Sequence, residues 1–188
     1  MLGSAWIVPL CPLLGAALNC FFGQRYSKAT VGQVAIAAIG VPFLVSLLLL
    51  VAFLAGTTTS YQLPLFTWIA SGPYHAQVGF LLDGLSLTMM LVVTGVGLLI
   101  HIYSTGYMHD EADYARYFTY LNLFVAAMLI LVMADNYLLM FVGWEGVGLC
   151  SYLLIGFWYT RPTAPSSLTL PPMNSGPVWC RRQFLSQA

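Results

Sequence analysis

Residues 137–159 read YLLMFVGWEGVGLCSYLLIGFWY, an apolar run long enough to cross a bilayer as one helix and interrupted by a single charge, Glu145. An ionised group at bilayer depth costs on the order of 2–3 kcal/mol or more, so intramembrane acids usually face a protein interior and mark an ion or proton path. Glu145 is therefore the first candidate functional residue. It sits about eight residues from the outer end of the run, roughly 12 Å deep, within reach of the midplane. Gly148, Leu149 and Tyr152 share its helical face. Gly143, Gly146 and Gly148 are small enough to admit a neighbouring helix closely. The acid is expected to point into such an interface.

The rest of the chain supports a membrane setting. Of its residues 60% are hydrophobic and 6% charged, far below the roughly one quarter charged of a soluble domain. Six basic and six acidic residues leave no net charge, so neither a nucleic-acid partner nor a polybasic anchor is indicated. Spans are expected at about 4–23, 31–55, 82–104, 115–133 and 137–159. The first has no basic residue before it and no good cleavage site, so it reads as a retained helix rather than a signal peptide. Pro9, Pro12 and Pro42 lie within the first two spans, where bilayer helices accommodate them.

Charge placement orients the spans. Arg25 and Lys28 follow span 1, Arg116 separates spans 3 and 4, and Arg161, Arg181 and Arg182 follow span 5. Alternation puts all of them on one side, which the positive-inside rule makes the cytoplasmic one, with the N-terminus outside. The opposite side receives the long uncharged connection between spans 2 and 3. Its aromatic and β-branched residues flank an Ala70-Ser71-Gly72-Pro73 turn signal, which predicts an external β-hairpin over 61–80. His75 within it is expected to be solvated or bonded to a neighbour.

Other polar groups have simpler roles. Asp83 opens span 3 in DGLSLTMM, where a carboxylate satisfies orphan amides as a helix cap. His101, near the inner end of the same span, is a candidate proton relay or a hydrogen-bonded structural histidine. It has no facing histidine on another span to share a haem, and Cys11, Cys20, Cys150 and Cys180 lack disulfide or metal-ligand spacing. No glycine-rich phosphate loop follows a strand. The chain is expected to carry no metal, cofactor or redox centre of its own.

The runs FLLDGLSLTMM, HIYSTGYMHDE, YFTYLNLFVAAMLILVMADN and LLMFVGWEGVGLCSYLLIGFWY, in this order and spacing, resemble the N-terminal part of the L subunit, or chain 5, of proton-translocating NADH:quinone oxidoreductase. The resemblance covers residues 1 to about 160. It implies an all-α, antiporter-like integral membrane bundle, of which this chain holds about five spans. It also implies that Glu145 is a proton-loading acid paired with a lysine on a later, broken helix. The only lysine here, Lys28, lies in an inner loop. Asp83, Ser86, His101 and Tyr107 also stand at motif positions. The implied partners are the other membrane and peripheral subunits, which would hold NADH, flavin, iron–sulfur clusters and quinone, in a bacterial inner membrane. A subunit of a multi-subunit Na+/H+ antiporter is the alternative within the superfamily, and an inactive structural remnant the alternative outside it.

Residues 161–188 depart from that pattern. Five of the ten prolines fall there, with no acidic residue and no helical period, so a disordered cytoplasmic tail of unrelated origin is expected. A reading-frame shift or a mis-called gene boundary near codon 161 is the expected origin, and a family-like continuation in another frame of the nucleotide sequence is the observation that tests the shift.

Overall fold

The computed structural model describes residues 2–56, 60–71, 74–111 and 113–157, with the side chains of 2, 69–71 and 74–76 left aside. The tail, His75's side chain and the tip of the turn at Gly72 and Pro73 lie outside the described residues. Residues Met1–Leu154 form one unit; the described part of the other, from Ile155, is the end of the last helix and the two residues after it.

A short 3-10 turn, Leu2–Ser4, leads into α1 (Ile7–Phe22). Then follow α2 (Lys28–Ala55), β1 (Ser60–Ser71), β2 (Tyr74–Asp83), α3 (Gly84–Tyr107), α4 (Tyr114–Met133) and α5 (Tyr137–Ile155). Four of the helices, α2 to α5, are long and apolar enough to cross a bilayer; α1, with 16 residues, is shorter than the expected first span. At 1.5 Å per residue α1 reaches about 24 Å, short of a hydrocarbon core about 30 Å thick. Pro9 falls in the first turn of α1, where its missing N–H is not needed. Pro12 and Pro42 are carried inside continuous helices.

Local chemistry sets the helix starts. Ser27 Oγ accepts from Thr30 N at 3.2 Å, so α2 begins at Lys28 rather than at residue 31. Asp83 caps α3: its Oδ1 accepts from Ser86 N at 2.7 Å while Ser86 Oγ accepts from Asp83 N at 2.8 Å, a reciprocal capping box. Asn136 Oδ1 accepts from Leu139 N at 2.9 Å and starts α5 the same way.

Helices α1 to α4 form a bundle in which α1 packs on α2 and α4, α2 on α3 and α4, and α3 on α4. Its centre is filled by Val8, Ile39, Leu87, Met90, Val125 and Leu129, with Phe80 and Leu82 of β2 continuing the cluster. Close approach relies on Gly15, where an added Cβ would collide with the Ala38 methyl. The strands pair antiparallel with Ser60 opposite Asp83 and Leu63 opposite Phe80, and irregularities after Pro64 and Thr67. Proline, having no N–H to give the ladder, sits naturally beside such a break.

The two ends of the bundle differ. At one, Lys28 Nζ donates to His109 O at 2.8 Å and Glu111 O at 3.0 Å, and Arg116 pairs with Asp113 at 2.8 Å. At the other, the hairpin lies against the α4–α5 turn: Asp135 N donates to Gly79 O at 3.3 Å and Asn136 Nδ2 to Gln77 O at 2.6 Å. The basic residues of the described chain thus gather at the end opposite the hairpin.

Candidate functional site

Helix α5 meets the bundle through its glycines. A Cβ on Gly143 would lie 2.7 Å from Leu131 N, and one on Gly146 would lie 2.9 Å from Ala127 Cβ. These two glycines, with buried Leu139 and Cys150, face α4. Gly148 has nothing within 4 Å of an added Cβ, so among the described residues it admits no neighbour.

Glu145 does not share the α4 interface. It is exposed, as are Trp144 and the residues of its own face, Leu149 (57%) and Tyr152 (61%). This corrects the expectation that the acid points into a close helix contact. The small residues around it were read as one cluster, but the helical turn splits them: Gly143 and Gly146 face inward while Glu145 and Gly148 face outward. The carboxyl thus stands in mid-helix on an apolar face that no described residue covers. No described cation lies within bonding distance of Glu145, and Lys28 is held at the basic end.

His101 is fully buried between α3 and α4. Its Nδ1 donates to Gly97 O at 2.7 Å, and its Nε2 lies 3.1 Å from Asn122 Oδ1. A carbonyl and an amide oxygen both accept, so this arrangement fits an imidazolium that donates from both nitrogens. A neutral imidazole with its proton on Nδ1 requires the Asn122 amide turned, so that Nδ2 donates to Nε2. The pair therefore has two self-consistent states, in which one proton and one amide rotation go together.

Sequence reading missed the amides beside it. Asn122 Nδ2 has no partner and packs against Gly15 of α1, and neither polar atom of the buried Asn19 side chain, one turn further on, is bonded. Ser104 Oγ and Tyr117 Oη, 3.3 Å apart, extend the polar group toward the basic end. Asn19 and Asn122 interrupt apolar runs just as Glu145 does. Applying the rule for intramembrane polar groups to amides as well as to charges would have found them.

An apolar helical bundle with a hairpin docked at one end and an acid in mid-helix on an uncovered face gives the chain the fold of an antiporter-like membrane bundle. A solved structure titled the Mrp complex from Dietzia sp. DQ12-45-1b shares this fold, with a TM-score of 0.67 at 23% identity over 86% of this chain and 16% of that one. Two family models also match. One, described as NADH-ubiquinone oxidoreductase (complex I), chain 5 N-terminus, covers residues 68–118. The other, NADH:quinone oxidoreductase/Mrp antiporter, TM, covers residues 134–170.

Within that class the chain belongs to the NADH-quinone oxidoreductase subunit L family. It is 50% identical over 153 residues to subunit L of Escherichia coli (strain K12), covering 81% of this chain and 25% of that protein. With subunit L of Mycobacterium tuberculosis (strain CDC 1551 / Oshkosh) it is 47% identical over 164 residues, 86% of this chain and 26% of that protein. The chain thus spans about a quarter of the length of these relatives.

Proposed function

We propose that the chain serves in the membrane arm of an NADH:quinone oxidoreductase, contributing to proton translocation coupled to electron transport. The observation that carries this reading is Glu145, an acid in the middle of a spanning helix, uncovered on a face that α1 to α4 do not reach. A carboxyl so placed needs a further helix with a cation to make a loading pair, and relatives about four times as long have room for one. His101 and Asn122 add a buried element able to hold and release a proton.

On this reading NADH, flavin, iron–sulfur clusters and quinone sit in partner subunits. The basic end faces the cytoplasm of a bacterial inner membrane, and the hairpin faces outward. The antiporter alternative draws on a neighbour whose 23% identity speaks for the fold alone, so the subunit L reading is preferred.

The test uses the chain in its native membranes. Tagged at the N-terminus, it should co-purify with other subunits of the oxidoreductase. Glu145→Gln should cut NADH-driven proton uptake into inverted vesicles severalfold while assembly is kept. Co-purification with antiporter subunits instead, or unchanged proton uptake in assembled Glu145→Gln complex, would overturn the proposal.

A further inference from the structure

Between α1, α2 and α4, at the basic end, a cavity of about 650 Å³ is lined by Asn19, Lys28, Asp113, Thr119 and Tyr120 among others. Asn19 is 2% exposed, lines this cavity, and makes no hydrogen bond through either its oxygen or its nitrogen. A buried amide with two empty valences is costly unless water or a ligand fills them. The cavity is of mixed polarity and far larger than one water requires, and its polar wall residues offer the several partners an ordered water needs.

One turn from Asn19 on α1, Gly15 abuts the Asn122 amide, and one turn from Thr119 on α4 stands Asn122 itself, whose Nδ2 is likewise unpaired. Beyond Asn122 is His101. Cavity, Asn19, Asn122 and His101 therefore follow one another inward from the basic end.

We propose that this cavity is a water-filled vestibule, with ordered water bound to the Asn19 side chain at its floor and supplying the Asn122–His101 pair from the basic end. The vestibule is distinct from the Glu145 face of α5 and does not depend on whether the chain moves protons. Its ligand is water, not a lipid: two of the three donors of Lys28 on its wall go to His109 O and Glu111 O, and the other lining guanidinium, Arg116, pairs with Asp113.

Accessibility to a water-borne reagent tests this. In a background carrying Cys11→Ser, Cys20→Ser, Cys150→Ser and Cys180→Ser, three single cysteines are compared in membrane vesicles: Asn19→Cys, Thr119→Cys and Ser46→Cys. Ser46 is fully buried and lies off the cavity wall. A charged, membrane-impermeant methanethiosulfonate applied on the Lys28 side should label Asn19→Cys and Thr119→Cys at least tenfold faster than Ser46→Cys. From the hairpin side it should label neither.

Labelling of both as slow as that of Ser46→Cys, whether from a dry floor or from a lipid plug, would overturn the proposal. Should Asn19→Cys fail to insert, Thr119→Cys alone decides. Adding Asn19→Leu to Thr119→Cys should slow its labelling severalfold by removing the bound water, and an unchanged rate would refute the role given to Asn19. Because none of these readouts involves proton transport, the vestibule and the proposed function fail separately.

Discussion

Gly143 and Gly148 stand on one helix yet tolerate different things. Leucine at 143 would drive carbon into the Leu131 backbone, which cannot step aside as a side chain can. Gly143→Leu is expected to cost about 1–3 kcal/mol, the usual range for overpacking a close contact. Gly148→Leu meets open space and should change the stability of this chain by no more than about 0.5 kcal/mol. Unfolding of the two variants by SDS in mixed micelles separates them, and equal midpoints would contradict the α4–α5 contact. The same residues show where sequence reading stops. That span 5 holds an acid among small residues is legible from composition; which of those residues face α4 is not, because the one packed stripe and the bare faces look alike in an apolar run without amphipathic period.

At the scale of elements, the boundaries followed from side chains that bond their own backbone. The capping box of Asp83 and Ser86 was half visible in the sequence, as a carboxylate placed just before an apolar run. Asp83→Ala should destabilise α3 by about 1 kcal/mol and speed amide exchange at Ser86, measured by hydrogen exchange in detergent. The hairpin was readable from its β-branched and aromatic flanks, but its docking was not, since it depends on Asn136, far along the chain. That one side chain both starts α5 and holds Gln77 O. Asn136→Ala should therefore loosen two elements together, at about 1 kcal/mol per lost bond, with faster exchange at Leu139 and in β2 alike. Faster exchange in only one of them would show that the two are not joined there. α1 falls within the first expected span but starts at Ile7, since the residues before it form a 3-10 turn and a connection that hydropathy does not separate from helix.

Across the described residues the chain is a bundle of four helices with a fifth attached along a single stripe. Its outward face carries Glu145, Leu149 and Tyr152 and is apolar enough to require lipid or protein against it. Glu145→Cys is expected to react readily with maleimide when the chain is alone in micelles and to be protected several-fold once assembled with partner subunits; equal rates in both states would mean the face stays open. The basic end has a different bearing, on how the chain is made. Lys28 lies at the start of α2, but the carbonyls it binds, at His109 and Glu111, are synthesised only after the hairpin and α3. During synthesis its ammonium must remain hydrated while two helices and a ribbon are threaded past it. Closure of this clasp is then a late event that reports the return of α3 to the side of the membrane from which α2 departed. The clasp of Lys28 on His109 O and Glu111 O can close only when an even number of crossings separates them, and α2 and α3 supply two.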